Sequence, residues 1–322
     1  MSFDPQLLYE VSRHYYELGR TQEEIAQSLG ISRSQVSRAI KKARDEGIVV
    51  IKLVPPAGSF DALRHEMMAT FGLSDCVIVG GEAVPMRMLT QNLGMAGADT
   101  LARHLGRLAD GATLGVSWGA TLRELANALE ARRPDARQVC AVPLLGGLGQ
   151  ASRDLQVNDI ASRIAEALGG STILLHAPSV VDTPEAKQVL MGDSAIRRIV
   201  QAWDALDMAV VGIGCLVPPS TLLAEGGFTA DELKALAEAG VVGDMCMNFF
   251  DIRGNYVVTP ISGRLIGITF EQLRDVECVV AVAGGANKAR AVLGALRTGI
   301  VDVLVIDDIT ARAVLSLSAE EV

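Results

Sequence analysis

A chain of 322 residues with 49% hydrophobic content, 4% aromatics and 32 glycines suits a small module joined to one α/β domain of aliphatic strands and glycine-rich turns. Its longest apolar runs, such as Val77-Ile78-Val79 and Ala209-Val210-Val211, are strand-sized, which excludes a helical membrane span; with no signal-peptide layout at the start, a cytoplasmic location is expected. The net charge of −9 is unevenly spread: residues 1–54 carry eight Lys/Arg against seven Asp/Glu, so only this piece suits a phosphate backbone and the acidic remainder does not.

In chain order, Leu7, Leu8, Val11, Tyr15 and Leu18 fall at helical spacing and predict a first helix ended by Gly19. Thr21-x-x-Glu24 reads as a capping box opening a second helix, with Ile25, Ala26 and Leu29 inward and Gly30 as its stop. Ser32-x-x-Gln35 reads as a second capping box, opening a helix with Val36, Ile40 and Ala43 inward. Two capped helices joined by a tight glycine-containing turn form a helix-turn-helix signature. The outward residues Arg33, Ser34, Gln35, Ser37, Arg38, Lys41 and Lys42, with Thr21 at the neighbouring cap, are the candidate DNA-binding set. Gln and Arg early in such a helix reach base edges, whereas Lys and Arg further along meet phosphates. Residues 48–54 then read as a strand or hairpin wing, so the expected DNA-binding domain is residues 1–54, winged.

Pro55-Pro56-Ala57-Gly58 is a stiff break and the expected linker. Over residues 59–322 strands and helices alternate, and runs such as 208–213, 278–282 and 301–306 have the continuous aliphatic character of buried parallel strands. The predicted architecture is a doubly wound, Rossmann-like α/β sheet, whose ligands sit at the carboxyl ends of the strands. Four turns there stand out. Gly115-Val116-Ser117-Trp118-Gly119-Ala120-Thr121 offers two hydroxyls and free helix amides as an anion cradle. Pro143–Gly149 contains Gly146 and Gly147, which permit close backbone approach to a ligand. Gly243-Asp244 supplies a carboxylate suited to sugar hydroxyls, and Gly284-Gly285-Ala286-Asn287-Lys288 puts one of six lysines beside free amides. The five cysteines show no CxxC spacing and the four histidines no HxxxH pair. The thiols are therefore expected to pack as small hydrophobes, with no metal site and no cofactor.

Taken in order, "GRTQEEIAQSLGISRSQVSRAIKKARDEGIVVIKL", "GVSWGATL", "PLLGG", "GDMCMNFFDIRG" and "AGGANKARAVLGALRTGIVDVLVIDD" resemble the SorC-type (DeoR-like, sugar-binding) bacterial transcriptional regulators over essentially the whole length. The resemblance implies an effector domain similar to the sugar-phosphate isomerase fold, a dimeric or tetrameric homo-oligomer, and operator binding controlled by a sugar, sugar phosphate or polyol. It further implies that Ser117, Gly119 and Thr121 hold a phosphate with Lys288, that Asp244 and the Gly146–Gly147 loop face the sugar, and that Trp118 walls the pocket. Two departures stand against the pattern. No lysine lies between Lys52 and Lys187, so no imine is expected from that region, and Met247 and Asn248 replace a small and a basic residue of many relatives. An isomerase or deaminase would need a positioned acid–base pair beside the substrate carbonyl. Asp244 has no His or Glu companion in a motif loop, so the chain is not expected to be an enzyme.

Overall fold

The computed structural model describes residues 4–45, 48–49, 60–132, 134, 137–149, 155–225 and 228–320. The chain divides into two compact units, Met1–Ala57 and Gly58–Val322. The expected linker and residues 50–54 of the expected wing lie outside the described residues.

The first unit holds α1 (Pro5–Ser12), α2 (Gln22–Leu29) and α3 (Arg33–Asp45) around Leu8, Val11, Ile25, Val36, Ala39, Ile40 and Ala43. Asp4 caps α1 and Pro5 takes the first helical turn, where the missing N–H costs nothing. Tyr15 and Leu18 do not join this core; they are 37% and 49% exposed. The cause is a π-helical turn, Arg13–Glu17, which follows α1 directly. Its wider i→i+5 winding breaks the 3.6-residue period, so the inward stripe of Leu8 and Val11 is not continued.

The second unit opens with α4 (Asp61–Phe71), β1 (Asp75–Val79), α5 (Met86–Leu105), β2 (Thr113–Val116), α6 (Ala120–Arg132), β3 (Cys140–Pro143), α7 (Val157–Ala167) and β4 (Ser171–Thr172). It continues with α8 (Pro184–Met191), α9 (Ser194–Trp203), β5 (Met208–Gly212), β6 (Gly214–Cys215), α10 (Thr221–Glu225), α11 (Ala230–Glu238), β7 (Val241–Met245) and β8 (Asn248–Asp251). It closes with α12 (Phe270–Arg274), β9 (Val279–Val282), α13 (Ala289–Arg297), β10 (Val303–Asp307) and α14 (Asp308–Glu320). Seven strands pair in parallel in the order β1-β10-β9-β5-β2-β3-β4, which is the doubly wound sheet expected.

Side-chain alternation divides the core into two layers. Leu114, Val116, Val210, Val280, Val282, Val303 and Val305 pack with α5, α6 and α7 on one face. Ala209, Val211, Val279, Ala281, Leu304 and Ile306 join the other layer, with residues of α4, α9, α13 and α14. Both faces being covered is why the strands read as unbroken aliphatic runs. A second, antiparallel sheet of β6, β7 and β8 adds to the latter layer through Cys215, Met245, Phe249 and Phe250. No helix among the described residues is long and apolar enough to cross a membrane.

From β2 the chain winds outward through β3 and β4; it then returns to β5, on the other side of β2, and ends through β9 and β10. Successive connections therefore part at the carboxyl ends of β2 and β5, and a crevice opens there.

Candidate effector site and nucleic-acid interface

The crevice contains a narrow inner chamber of about 60 Å³. Ser117, Trp118 and Gly119 reach it from the turn between β2 and α6, Thr121 from the first turn of α6, Ile213 from the end of β5, and Gly214 and Cys215 from β6. Ser220 and Thr221 come from the start of α10, Asp244 and Cys246 from the hairpin of β7 and β8, and Lys288 from the turn after β9. A wider vestibule of about 630 Å³ adjoins it, sharing Ala120, Thr121, Ser220, Thr221 and Lys288 and adding Met86, Leu155, Pro218, Pro219 and Asn287. Six of the eight residues expected at the effector site are thus brought together.

Gly146 and Gly147 are not among them. Gly147 donates its N–H to Ala177 O, and Gly146 donates to Ile266 O. A Cβ at Gly146 would lie 2.4 Å from the carbonyl oxygen of Pro178. The close approach at Gly146 is to the chain's own 177–178 backbone, Gly147 bonds the same segment, and neither lines the chamber. Met247 and Asn248 also stay out of the chamber: both are buried, and Asn248 Nδ2 donates to Ile268 O.

Asp244 is the most unusual group. Its Oδ2 accepts the N–H of Met247 at 2.9 Å, but its Oδ1 is buried and has no hydrogen-bond partner. Burial pushes its pKa up to about 6, against the Met247 N–H and the charge of Lys288, which both favour the anion. Gly214 lies against this oxygen so closely that a Cβ there would meet it at 1.9 Å. Lys288 Nζ donates to Ile213 O at 2.8 Å. Burial draws its pKa below that of an ordinary lysine, opposed by Cys215 and Asp244.

The local backbone is set for this placement. Met245 pairs with Asn248, which leaves Cys246 and Met247 as the two hairpin residues, at φ of 54° and 60°. Left-handed backbone is costly for side chains other than Gly, Asn or Asp, so packing must hold this turn. Both residues are buried, and the Cys246 thiol donates to Ser117 Oγ at 3.3 Å. The turn bearing Lys288 is held from behind: Gly285 N–H donates to Asp307 Oδ2 and to Thr310 Oγ1. Sequence reasoning missed Ser220, Thr221, Cys215, Cys246 and the Asp307 anchor. The one available signal was a carboxylate pair, Asp307-Asp308, ending an aliphatic strand.

In the first unit both capping boxes form. Thr21 and Glu24 exchange bonds through the Thr21 hydroxyl and the Glu24 carboxylate, and Glu24 is held below the ordinary glutamate range by Thr21. Gln35 Oε1 accepts both Ser32 N–H and Ser32 Oγ–H, while Gln35 N–H donates to Ser32 Oγ. The helix start therefore occupies the amide oxygen of Gln35 and leaves its NH₂ outside the cap. Arg33, Ser34, Ser37, Arg38 and Lys41 are exposed on α3, and Gln35 and Lys42 are half-buried. Arg38 Nε donates to Ser34 O. Ser32→Ala removes one cap and should destabilise this unit by about 1 kcal/mol. Thermal denaturation of the variant checks this, and an unchanged melting temperature would show that the cap contributes nothing.

Comparison with known proteins adds two matching family models. Residues 6–53 match a Crp-like helix-turn-helix domain, and residues 56–316 match a "Putative sugar-binding domain". The crystal structure of the full-length sorbitol operon regulator SorC from Klebsiella pneumoniae superposes with a TM-score of 0.75 at 31% identity, covering 98% of this chain and 100% of that one. The chain belongs to the SorC family of transcriptional regulators. The deoxyribonucleoside regulator of Bacillus subtilis (strain 168) is 32% identical over 311 residues, 97% of each chain. The sorbitol operon regulator of Klebsiella pneumoniae is 31% identical over 320 residues, 98% of this chain and 99% of its own. These relatives are regulators by name, not enzymes. The chain is a DNA-binding, effector-controlled regulator of that kind.

Proposed function

We propose that the chamber between β2 and β5 binds a polyhydroxy effector (a sugar, its phosphate or a polyol) and that occupancy sets the operator affinity of the helix-turn-helix. The unpaired, buried Asp244 Oδ1 carries the reading. A buried acceptor without a donor is costly, and a ligand hydroxyl is the donor that relieves it. Ser117 Oγ already accepts from Cys246, so its own hydrogen is available to the same ligand. Where the effector is phosphorylated, Thr121, the backbone amides from Gly119 onward and Lys288 form its anion end, with Trp118 as the wall. The small chamber takes one end of the effector, and the remainder lies in the vestibule.

On the DNA side, Arg33, Ser34, Ser37, Arg38 and the amide hydrogens of Gln35 face base edges, while Thr21, Lys41 and Lys42 meet backbone phosphates. A head carrying eight basic against seven acidic residues binds weakly alone. Operator affinity then comes from a homo-oligomer that presents at least two heads at once, in the cytoplasm where the operator is. An effector changes that affinity only by binding one arrangement of the oligomer more tightly than another.

A thermal-shift screen of sugars, polyols and their phosphates tests this, followed by operator binding with and without each hit. The expected result is at least one compound that raises the melting temperature and also changes operator affinity. Hits that leave DNA binding unaltered, or a screen with none, would overturn it. The pH dependence is a second check. A group whose folded pKa is raised from 3.8 to about 6 takes up a proton on folding, so its contribution to stability grows as pH falls from above 6 towards 4. Effector affinity should run the other way, weakening below about pH 6 as Oδ1 turns from acceptor to donor. Asp244→Asn should remove both trends; thermal denaturation reads the first and calorimetric titration the second, each across about pH 5–8.

A further inference from the structure

The two residues at the end of the Gly284–Lys288 turn both grip the loop that follows β5. Lys288 Nζ holds its beginning at Ile213 O. Asn287 Nδ2 holds its far end, donating at 3.0 Å to Val217 O and at 3.0 Å to Pro219 O. Two carbonyl partners leave no choice about which end of the amide faces the loop, since only the NH₂ can donate to both. Inside the loop, Cys215 Sγ donates to Val217 O, Ser220 Oγ donates to Cys215 O, and Leu223 N–H donates to Ser220 Oγ. These bonds make 215–221 one folded piece. The residues it delivers, Ser220 and Thr221, line both the chamber and the vestibule and form the neck between them.

The ammonium of Lys288 has three donors, so it is shared between Ile213 O and any ligand it meets. The grip at Val217 and Pro219 does not use the ligand. We propose that Asn287 is the positioning residue of the effector site: it fixes the neck residues Ser220 and Thr221 against the turn that carries Lys288, whether or not Lys288 is engaged by a ligand. This rests on the reading of the chamber as the effector site, but its test does not require an effector.

The test uses acrylamide quenching of tryptophan fluorescence in the full chain. Of the two tryptophans, Trp118 lines the chamber, whereas Trp203 is 1% exposed and donates its indole N–H to Pro143 O. Trp118→Phe in each background therefore isolates the chamber signal. With the neck released, Asn287→Ala and Asn287→Asp should each raise the Trp118 quenching constant at least about twofold at neutral pH, since local opening admits the quencher. Near pH 4, about the ordinary aspartate pKa, the Asn287→Asp carboxyl facing two carbonyl oxygens is largely protonated and donates again to one of them. Quenching should then return towards the wild-type value at that pH in Asn287→Asp and not in Asn287→Ala. A merely structural residue would give two variants that respond alike to pH. Unchanged quenching in both variants at neutral pH, or no difference between them at the lower pH, would overturn the proposal. If Asn287→Ala does not fold, Asn287→Asp alone decides by its pH profile against wild type. A screen without hits would leave this result standing, and an unchanged quenching constant would leave the effector reading standing, so the two failures are distinguishable.

Discussion

An Arg33→Ala, Arg38→Ala double variant is expected to lose operator binding by about a hundredfold to a thousandfold, while its melting temperature stays close to that of the wild type. Each good base or phosphate contact from an arginine contributes about 1–3 kcal/mol, and two well-separated contacts add. Both side chains are exposed on α3, and the helix keeps its start because the cap rests on Ser32 and Gln35. Among the described residues Arg38 bonds Ser34, which is exposed, so truncating it uncovers no buried partner there. Gel-shift or anisotropy titration at two salt concentrations measures the loss. The slope of affinity against salt should fall along with affinity if either arginine meets a phosphate. An unchanged operator affinity would show that another surface reads the DNA. The effector-induced thermal shift should persist in this variant, because nothing in its chamber has changed.

Gly214→Ala is expected to do the opposite, abolishing the effector response and leaving the DNA-binding unit intact. A Cβ at position 214 would lie 1.9 Å from Asp244 Oδ1, less than any real contact allows. Asp244 cannot yield easily, since Oδ2 is tied to the Met247 N–H in a left-handed turn packed on all sides. Either β6 parts from β7, where Gly214 pairs with Asp244, or the carboxylate swings away from the ligand's position. Overpacking of this kind costs about 1–3 kcal/mol of stability. Thermal denaturation reads that cost, and titration with a hit from the screen reads the lost response. A Gly214→Ala chain that binds its effector at the wild-type level would show that Asp244 does not face the ligand.

Much of the architecture was legible because two signals are local. Capping boxes at Thr21 and Ser32 announce helix starts within four residues, and aliphatic runs such as the one at 301–306 announce strands buried on both faces. Tyr15 and Leu18 misled because a π turn changes the period without any mark in the residues themselves. Gly146 and Gly147 misled for a different reason. A glycine after a strand is required equally by a ligand and by a passing backbone, and at Gly146 the close neighbour is Ala177-Pro178. The same ambiguity is resolved by coordinates at Gly214, a position that sequence reasoning passed over in a two-residue strand. Ser220, Thr221 and Cys246 could not be found from spacing, because tertiary approach alone brings them to Ser117 and Lys288.

The parting of the chain at β2 and β5 has a mechanical consequence. Ser117 and Thr121 belong to the winding that continues into β3 and β4, whereas Asp244 and Lys288 belong to the winding that ends in β9 and β10. An effector touching both sets is a removable cross-link, closing a span of chain from position 117 to position 288. Unlike a covalent cross-link, it is lost when the chain opens, so it acts by mass action on the closed sheet alone. Its footprint in hydrogen exchange should therefore spread along both wings of the sheet, reaching strands that no ligand atom contacts.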